Sequence, residues 1–519
     1  MKKAVSFLLI VAFIFGMTAC DLNGEGKKGK AGLSVGYAAL DISPNNSLPL
    51  DGYAGTQWAP EHRWSQSVDW PLKAITIAIT DAKDNTVIIV ALDMLTAFMA
   101  DAMREVIAAE TGVEEENIFF HCTHNHSGVA LRHKDPKVTT YITELTYSVR
   151  SAAKVAMEDR KPVTELATTF ARAEGCNTVR HYLVTDGEYL SSNKAKLAED
   201  VTWYGHTTVA DDMIQLVRFT REGGKPVVMM NYQGHLCAAN IAMTAATSDY
   251  AGVMRSYVEK ELNCLSIFIQ GGGGNLAMGT YLEDEQMRAS SKDYQHLGNT
   301  LGADVVAAAA DFVSIPIENI QHKEQMTLVD TKDGGKLKAY LNAFSIGDFA
   351  MVSAPFEIFD TNAMYVRENS PFKMTFYASC TNGANQYLAT PECFDWVTSY
   401  EVSGSPGAKG AAETVQNAQL EMLGELFGAE RTPTEKPEGY VRGEFVPVTD
   451  GHTYTVLTRE DGSVMKSVRN DFLQFLTARE DGKNKTLLVK DAALAEEISK
   501  MQTATFLFDH QNVVVGIAE

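Results

Sequence analysis

Three histidines stand within six residues in His121-Cys122-Thr123-His124-Asn125-His126, followed by Ser127-Gly128. His124 and His126 are two apart. On an extended segment both side chains point to the same side. A metal ion or an acid/base pair needs that arrangement, and neutral imidazole binds zinc well. A further histidine, His235, follows a strand-like run in Met229-Met230-Asn231-Tyr232-Gln233-Gly234-His235. Alone it reads either as a hydrogen-bonded core or loop histidine or as a ligand. Gln270-Gly271-Gly272-Gly273-Gly274-Asn275 is a turn that exposes its backbone after a strand. It lacks the Lys-Ser/Thr ending of a phosphate loop. Ser403 to Gly407 lacks the spacing of a nucleophile elbow. No C-x-x-C pair exists, which argues against a thiolate zinc knuckle.

These groups sit at the ends of elements that the hydrophobic pattern predicts. Residues 34–57 read as strand and turn. Two strand-like runs, 74–79 and 87–92, flank an Asp-Asn turn at 84–85, the signal of a hairpin. Helices are expected over 100–110, 138–158, 249–262, 293–313 and 408–427. Strands are expected at 118–120, 214–219, 226–231, 265–270, 325–330, 337–346 and 349–353. The alternation predicts a mixed α/β fold with one large catalytic domain over 34–430. Two prolines with charges at 431–440 read as a linker or long loop. Residues 431–519 form a small region expected to be mainly β, with one helix at 491–501.

The chain is long enough, at 519 residues, to bury a large core. Forty-five basic residues against 66 acidic ones give a net charge of −21, and the pI is near 5.1. Such a surface argues against nucleic acid and against basic attachment to anionic lipid. Lys2 and Lys3 precede an apolar run from Ala4 to Phe15, too short to span a bilayer comfortably. Thr18-Ala19-Cys20 then resembles the lipobox of bacterial lipoproteins. The expectation is a signal peptide over 1–19, a lipid on Cys20 and a flexible tether over 20–33. Membrane contact would run through that lipid only, placing the protein in the bacterial cell envelope. Six further cysteines permit disulfides without assigning them.

Taken in order, these segments resemble the neutral/alkaline ceramidase family. Thr123-His124-Asn125-His126-Ser127-Gly128 is similar to its T-H-T-H-S-G motif. Asn177 to Gly187, with Arg180-His181-Tyr182, resembles its N-R-x-Y segment. Asp211 to Phe219 and Asn231 to His235 resemble its strand pair ending in a second zinc histidine. Thr247-Ser248-Asp249-Tyr250-Ala251-Gly252 is similar to S-A-D-Y-P-G, and Ala354-Pro355-Phe356-Glu357 to P-G-E. Asn382 to Tyr387, Thr390-Pro391-Glu392 and Ser399-Tyr400-Glu401 resemble N-G-Y, T-P-E and Y-E-G. The resemblance runs over residues 33–427.

The resemblance implies a zinc-dependent hydrolase with His124, His235, Glu357 and Tyr400 as metal ligands. A metal-activated water would cleave an amide or ester bond of a small-molecule or acyl-conjugate substrate. His126 would move protons, and Arg180 would stabilise the developing oxyanion. The family's G-D-V-S-P-N segment corresponds to Gly274-Asn275-Leu276-Ala277-Met278-Gly279 here. Asn275 stands for a catalytic-site aspartate and Ala277 for a serine. The glycines after H-S-G are Val129, Ala130 and Leu131 here. These departures imply little ceramidase activity and a smaller or more polar acyl compound as substrate. A repurposed binding lipoprotein, for example one capturing glycans, is the other class that the departures leave open.

Overall fold

The computed structural model describes residues 32–53, 61–184, 189–191, 203–206, 208–278, 293–395, 399–441, 449, 451–457, 465–466, 474–508 and 513–518. The expected signal peptide, lipobox and tether, with Cys20, lie outside the described residues up to Ala31.

A nine-stranded sheet forms the larger inner layer. Its path runs Leu265–Gln270, Val227–Tyr232, Met213–Arg221, Lys161–Arg172, Ser34–Asp41, Lys73–Thr80, Thr86–Leu92 and Ile118–Cys122, with Val313–Ile315 pairing beside Lys161–Arg172. The middle of the path is antiparallel. The expected hairpin pairs Ala74 with Leu92 through to Thr80 with Thr86. At each end the last pair is parallel: Val227–Tyr232 with Leu265–Gln270, and Thr86–Leu92 with Ile118–Cys122.

A four-stranded sheet stacks on this one: Gln321–Asp330, Lys336–Ile346, Phe349–Ser353 and Met374–Ala378. Its last pair is also parallel. The two sheets share one buried layer. Ile75, Ile77, Ile79, Val87, Ile89 and Phe119 from the large sheet meet Phe344, Phe349, Met351 and Phe376 from the small one. Phe119 and Phe344 touch edge to face at 5.3 Å. The alternate residues of the same strands, Ala74, Ala78, Ile88, Val90 and Leu92, face the opposite way into a second cluster. Helices Ala100–Thr111 and Pro136–Glu158 cover it. The strands are apolar on both faces because both faces are covered. Asp249–Glu261 and Tyr294–Ala308 pack on the other part of the large sheet, and Asp360–Asn369 and Ala411–Phe427 on the small sheet. The result is a helix, sheet, sheet, helix stack, a mixed α/β fold.

Several boundaries differ from the sequence expectation. The helix expected over 293–313 ends at Ala308, passes through a short 3-10 turn at Ala309–Asp311, and gives way to strand Val313–Ile315. The twelve-residue strand Lys161–Arg172 carries little periodic signal, since Ala167, Thr168, Thr169 and Ala171 fill four of its six buried positions. The segment expected to be a linker packs on the core. Arg431 pairs with Asp348 at 2.9 Å, Lys436 donates to Phe372 O at 2.7 Å, and Tyr440 is fully buried between the two sheets. Beyond it lies a seven-stranded sheet with its own apolar cluster and one helix, Ala492–Ser499, capped by Asp491.

Candidate metal centre

The three parallel strand pairs bring their C-terminal ends to one place. His124 and His126 follow Ile118–Cys122, and His235 follows Val227–Tyr232. Gly273 follows Leu265–Gln270, Glu357 follows Phe349–Ser353, and Cys380 follows Met374–Ala378. Open α/β sheets bind their ligands at such ends. His121 fastens the meeting point. Its Nε2 accepts from Gln270 N at 3.0 Å, so Nδ1 carries the proton and donates to Thr381 Oγ1 at 2.9 Å. Asn382 completes the join by accepting from Phe120 N and donating to Ile118 O.

Three imidazole nitrogens converge there. His124 Nε2 lies 3.2 Å from His235 Nε2 and 3.4 Å from His126 Nε2. His126 Nε2 lies 2.9 Å from His235 Nε2. Glu357 Oε2 is 3.1 Å from His124 Nε2, yet forms no well-directed hydrogen bond. All four residues lie in the protein interior. The expected alternation is not what brings His124 and His126 together: His124 has a left-handed backbone, with φ 63°. Left-handed residues are uncommon outside glycine and cluster at functional sites. Here Asp249, Cys380, Asn382 and Gln386 share that conformation.

The outer nitrogens decide what the inner ones can do. His124 Nδ1 faces Leu95 O at 3.0 Å, and His235 Nδ1 faces Gly273 O at 3.0 Å. A carbonyl only accepts, so both Nδ1 atoms carry protons. In the neutral rings both Nε2 atoms are then bare lone pairs, 3.2 Å apart. Two lone pairs at that distance repel unless a metal ion or a proton lies between them. In a tetrahedral zinc site neighbouring donor atoms lie about 3.3 Å apart, given metal–nitrogen bonds of about 2.0–2.1 Å. The two imidazoles of His124 and His235 and the Glu357 carboxylate therefore suit a divalent metal in type and spacing, with the His126 imidazole beside them. Backbone carbonyls on the far ring nitrogens are the usual orienting contacts of metal-binding histidine.

Without a metal, charge is shared unevenly. Burial disfavours a charged ring at all three positions, and it dominates at His126 and His235, whose pKa values fall well below the ordinary value. At His124 burial is again the largest influence and acts in the same direction, but Glu357 and Cys380 together outweigh it and the pKa rises well above the ordinary value. Burial also opposes ionised Glu357, yet His124 beside it brings that pKa down to about 2. One proton thus sits where the nitrogens meet.

The remaining predicted residues form a second layer. Arg180 is buried, with Nε on Glu401 at 2.7 Å and Nη2 on Gly274 O at 2.6 Å. His181 Nε2 lies 2.9 Å from the other Glu401 oxygen. The Arg180 guanidinium sits over the rings of Tyr387 and Tyr400, at 5.5 and 5.7 Å from their centroids. Tyr400 is half-buried. Burial raises its pKa, and its hydroxyl lies within the fields of Arg180 and Glu357. Asn275 spends both ends of its amide on Asp360: Nδ2 donates to Oδ1 at 2.7 Å, and Oδ1 accepts from Asp360 N at 2.9 Å. It joins the glycine loop to the start of helix Asp360–Asn369. Ala277 pairs with Thr178 in a short bridge of strands.

Residues the sequence reading passed over hold the site in shape. Gly52 has φ 97°, and a Cβ there would lie 2.5 Å from His126 Cβ. Arg63 Nη2 donates to His126 O at 2.6 Å. Asp93, two residues before Leu95 in the chain, forms a buried two-pronged ion pair with Arg255. The six cysteines from Cys122 to Cys393 are free thiols.

The same architecture occurs in the crystal structure of neutral ceramidase from Pseudomonas aeruginosa. The TM-score is 0.61 at 14% identity, over 86% of this chain and 84% of that one. The chain has the neutral-ceramidase fold. A ceramidase complexed with C2 matches equally well, with TM-score 0.61 and 14% identity over 94% of this chain and 92% of the other. No family model and no curated protein sequence matches. The likeness to neutral ceramidases therefore rests on fold, and it extends over nearly the whole of both chains.

Proposed function

We propose that the chain is a zinc-dependent hydrolase of the neutral-ceramidase type that cleaves an amide or ester bond of an acyl compound. The observation that carries this reading is the convergence of the His124 and His235 Nε2 atoms, 3.2 Å apart beside Glu357, with their outer nitrogens held by backbone carbonyls. His124, His235 and Glu357 are assigned as donors, with Tyr400 as the fourth. Bound zinc would polarise the substrate carbonyl and make a water acidic enough to ionise near neutral pH. The protein's own residues do the rest. His126 holds its Nε2 beside the donors, where it can take a proton from the water and pass it to the leaving group. Arg180, fixed by Glu401 and Gly274 O, is a permanent positive charge beside the reacting carbonyl. Asn275 is a positioning residue acting through Asp360.

Ala277 offers a methyl where the family motif has a hydroxyl. One well-placed donor in such a site is worth about a hundredfold in rate. The substrate is accordingly assigned as an acyl compound other than ceramide. Hydrolysis of a panel of N-acyl and O-acyl compounds, with and without chelator, tests the reading. Chelator-sensitive cleavage is expected; chelator-resistant cleavage, or none across the panel, counts against it. A lipid on Cys20 would hold the enzyme at the cell envelope. Mass spectrometry of the mature N-terminus tests that, and an unmodified Cys20 refutes it.

A further inference from the structure

Asp51 stands at the edge of the histidine cluster. Its backbone is tied to the loop that carries His126. Asp51 N donates to Gly128 O at 2.9 Å, and Arg63 Nη2 bridges Asp51 O and His126 O at 3.1 and 2.6 Å. The next residue, Gly52, packs against His126 with no room for a side chain. The Asp51 carboxylate accepts from Gly52 N at 3.0 Å, and among the described residues it forms no ion pair. The nearby cations are committed elsewhere. Arg63 spends its guanidinium on the carbonyls of Asp51, His126 and Met243 and lies over the Tyr53 ring at 4.8 Å. Arg132 lies over Phe98 at 5.0 Å. Burial raises the pKa of this carboxyl, while the Gly52 N–H and the fields of His62, Arg132 and His124 act the other way and favour the carboxylate.

A carboxylate without an ion-pair partner beside a reaction centre prefers a cation or a hydrogen-bond donor in the space it faces, and it repels a second carboxylate. The net charge of −21 points the same way. We propose that Asp51 sets the charge preference of the site. It favours acyl conjugates whose leaving group carries a second, protonated amine, and it turns away those that carry a carboxylate. The proposal rests on the hydrolase reading for its substrate class, but its test does not need turnover.

Binding is measured by calorimetric titration of the full chain in zinc-containing buffer, with two probes that share one acyl chain. N-hexanoyl-1,2-diaminoethane presents an ammonium; N-hexanoylglycine presents a carboxylate. Wild type is expected to bind the ammonium probe about tenfold more tightly. Asp51→Asn keeps the acceptor for Gly52 N and is expected to bring the ratio near one. Asp51→Lys is expected to invert it. The wild-type preference should shrink as salt is raised from about 0.05 to about 0.5 M. An unchanged ratio in Asp51→Asn, with its melting temperature close to wild type, overturns the proposal. So does failure of wild type to bind the ammonium probe. If the ratio behaves as expected and neither probe is cleaved, the charge reading stands and the hydrolase reading loses support.

Discussion

A histidine whose Nδ1 faces a carbonyl has only its Nε2 left to offer, and His124 and His235 are both in that position. Wild type is therefore expected to bind about one zinc per chain. His235→Ala and Glu357→Gln should each lower that content below about a tenth. Metal analysis of purified protein checks this; full content in both variants would refute the site. The sequence exposed the types here, three histidines in six residues and His235 after a strand. It did not expose the left-handed turn at His124, since that depends on Leu95 and Glu357, which are distant in the chain. His121 gives a separate residue-level prediction. Burial holds its pKa at about 3, far below the ordinary value of about 6.5. The unfolded chain binds that proton first, so stability falls as pH drops from about 6.5 towards 3. The slope is about 1.4 kcal/mol per pH unit for this ring. His121→Gln, which keeps an acceptor for Gln270 N, should remove that share of the slope. Denaturant unfolding between pH 7 and pH 4 measures it, and equal slopes would show that another group carries the dependence.

Among the elements, the glycine run after Leu265–Gln270 shows what a motif looks like before its neighbours are known. In the sequence it reads as an exposed turn. In the fold it threads between Gln233 and Glu357, and the glycines are there because no side chain fits. A Cβ on Gly273 would lie 2.2 Å from Gln233 O. Gly273 also supplies the carbonyl that orients His235. Gly273→Ala should therefore cost about 1–3 kcal/mol of stability and weaken zinc binding about tenfold to a hundredfold. Unfolding curves and competition with a chelator read the two effects. Lost stability with wild-type zinc affinity would break the link between this strand end and the metal. Elements with strong periodicity, such as the hairpin at 74–92 and helix Asp249–Glu261, were legible from sequence. Lys161–Arg172 was not, because neighbours on both sides supply its packing and most of its buried residues are alanine and threonine.

At the scale of the whole molecule, the prolines and charges of 431–440 read as a boundary, whereas the fold buries Tyr440 in the layer shared by both sheets. Its hydroxyl accepts from Thr375 N at 3.0 Å and donates to Gln215 Oε1. Thr375 belongs to the small sheet and Gln215 to the large one, so a single phenol ties the two together. The Arg367 guanidinium lies 5.6 Å from the centre of the same ring, and it pairs with Asp211 at 2.6 Å. Asp211 N in turn donates to Asp360 Oδ2, the residue that Asn275 holds. The layer shared by the two sheets is thus closed by a residue outside the expected 34–430 span. The seven-stranded sheet beyond it has its own apolar cluster. A chain ending after Val441 is expected to fold and bind zinc. A chain ending after Pro433 lacks Tyr440 and should lose about 3–5 kcal/mol, the usual cost of removing a buried aromatic side chain. Tyr440→Phe keeps the ring and removes the hydroxyl, leaving Thr375 N and Gln215 Oε1 unpaired at a cost of about 1–3 kcal/mol. Urea unfolding of this layer is expected to give wild type and the chain ending at 441 as most stable, then Tyr440→Phe, then the chain ending at 433. Equal stability of the two truncated chains would mean that Tyr440 fastens nothing, and the boundary would return to the prolines.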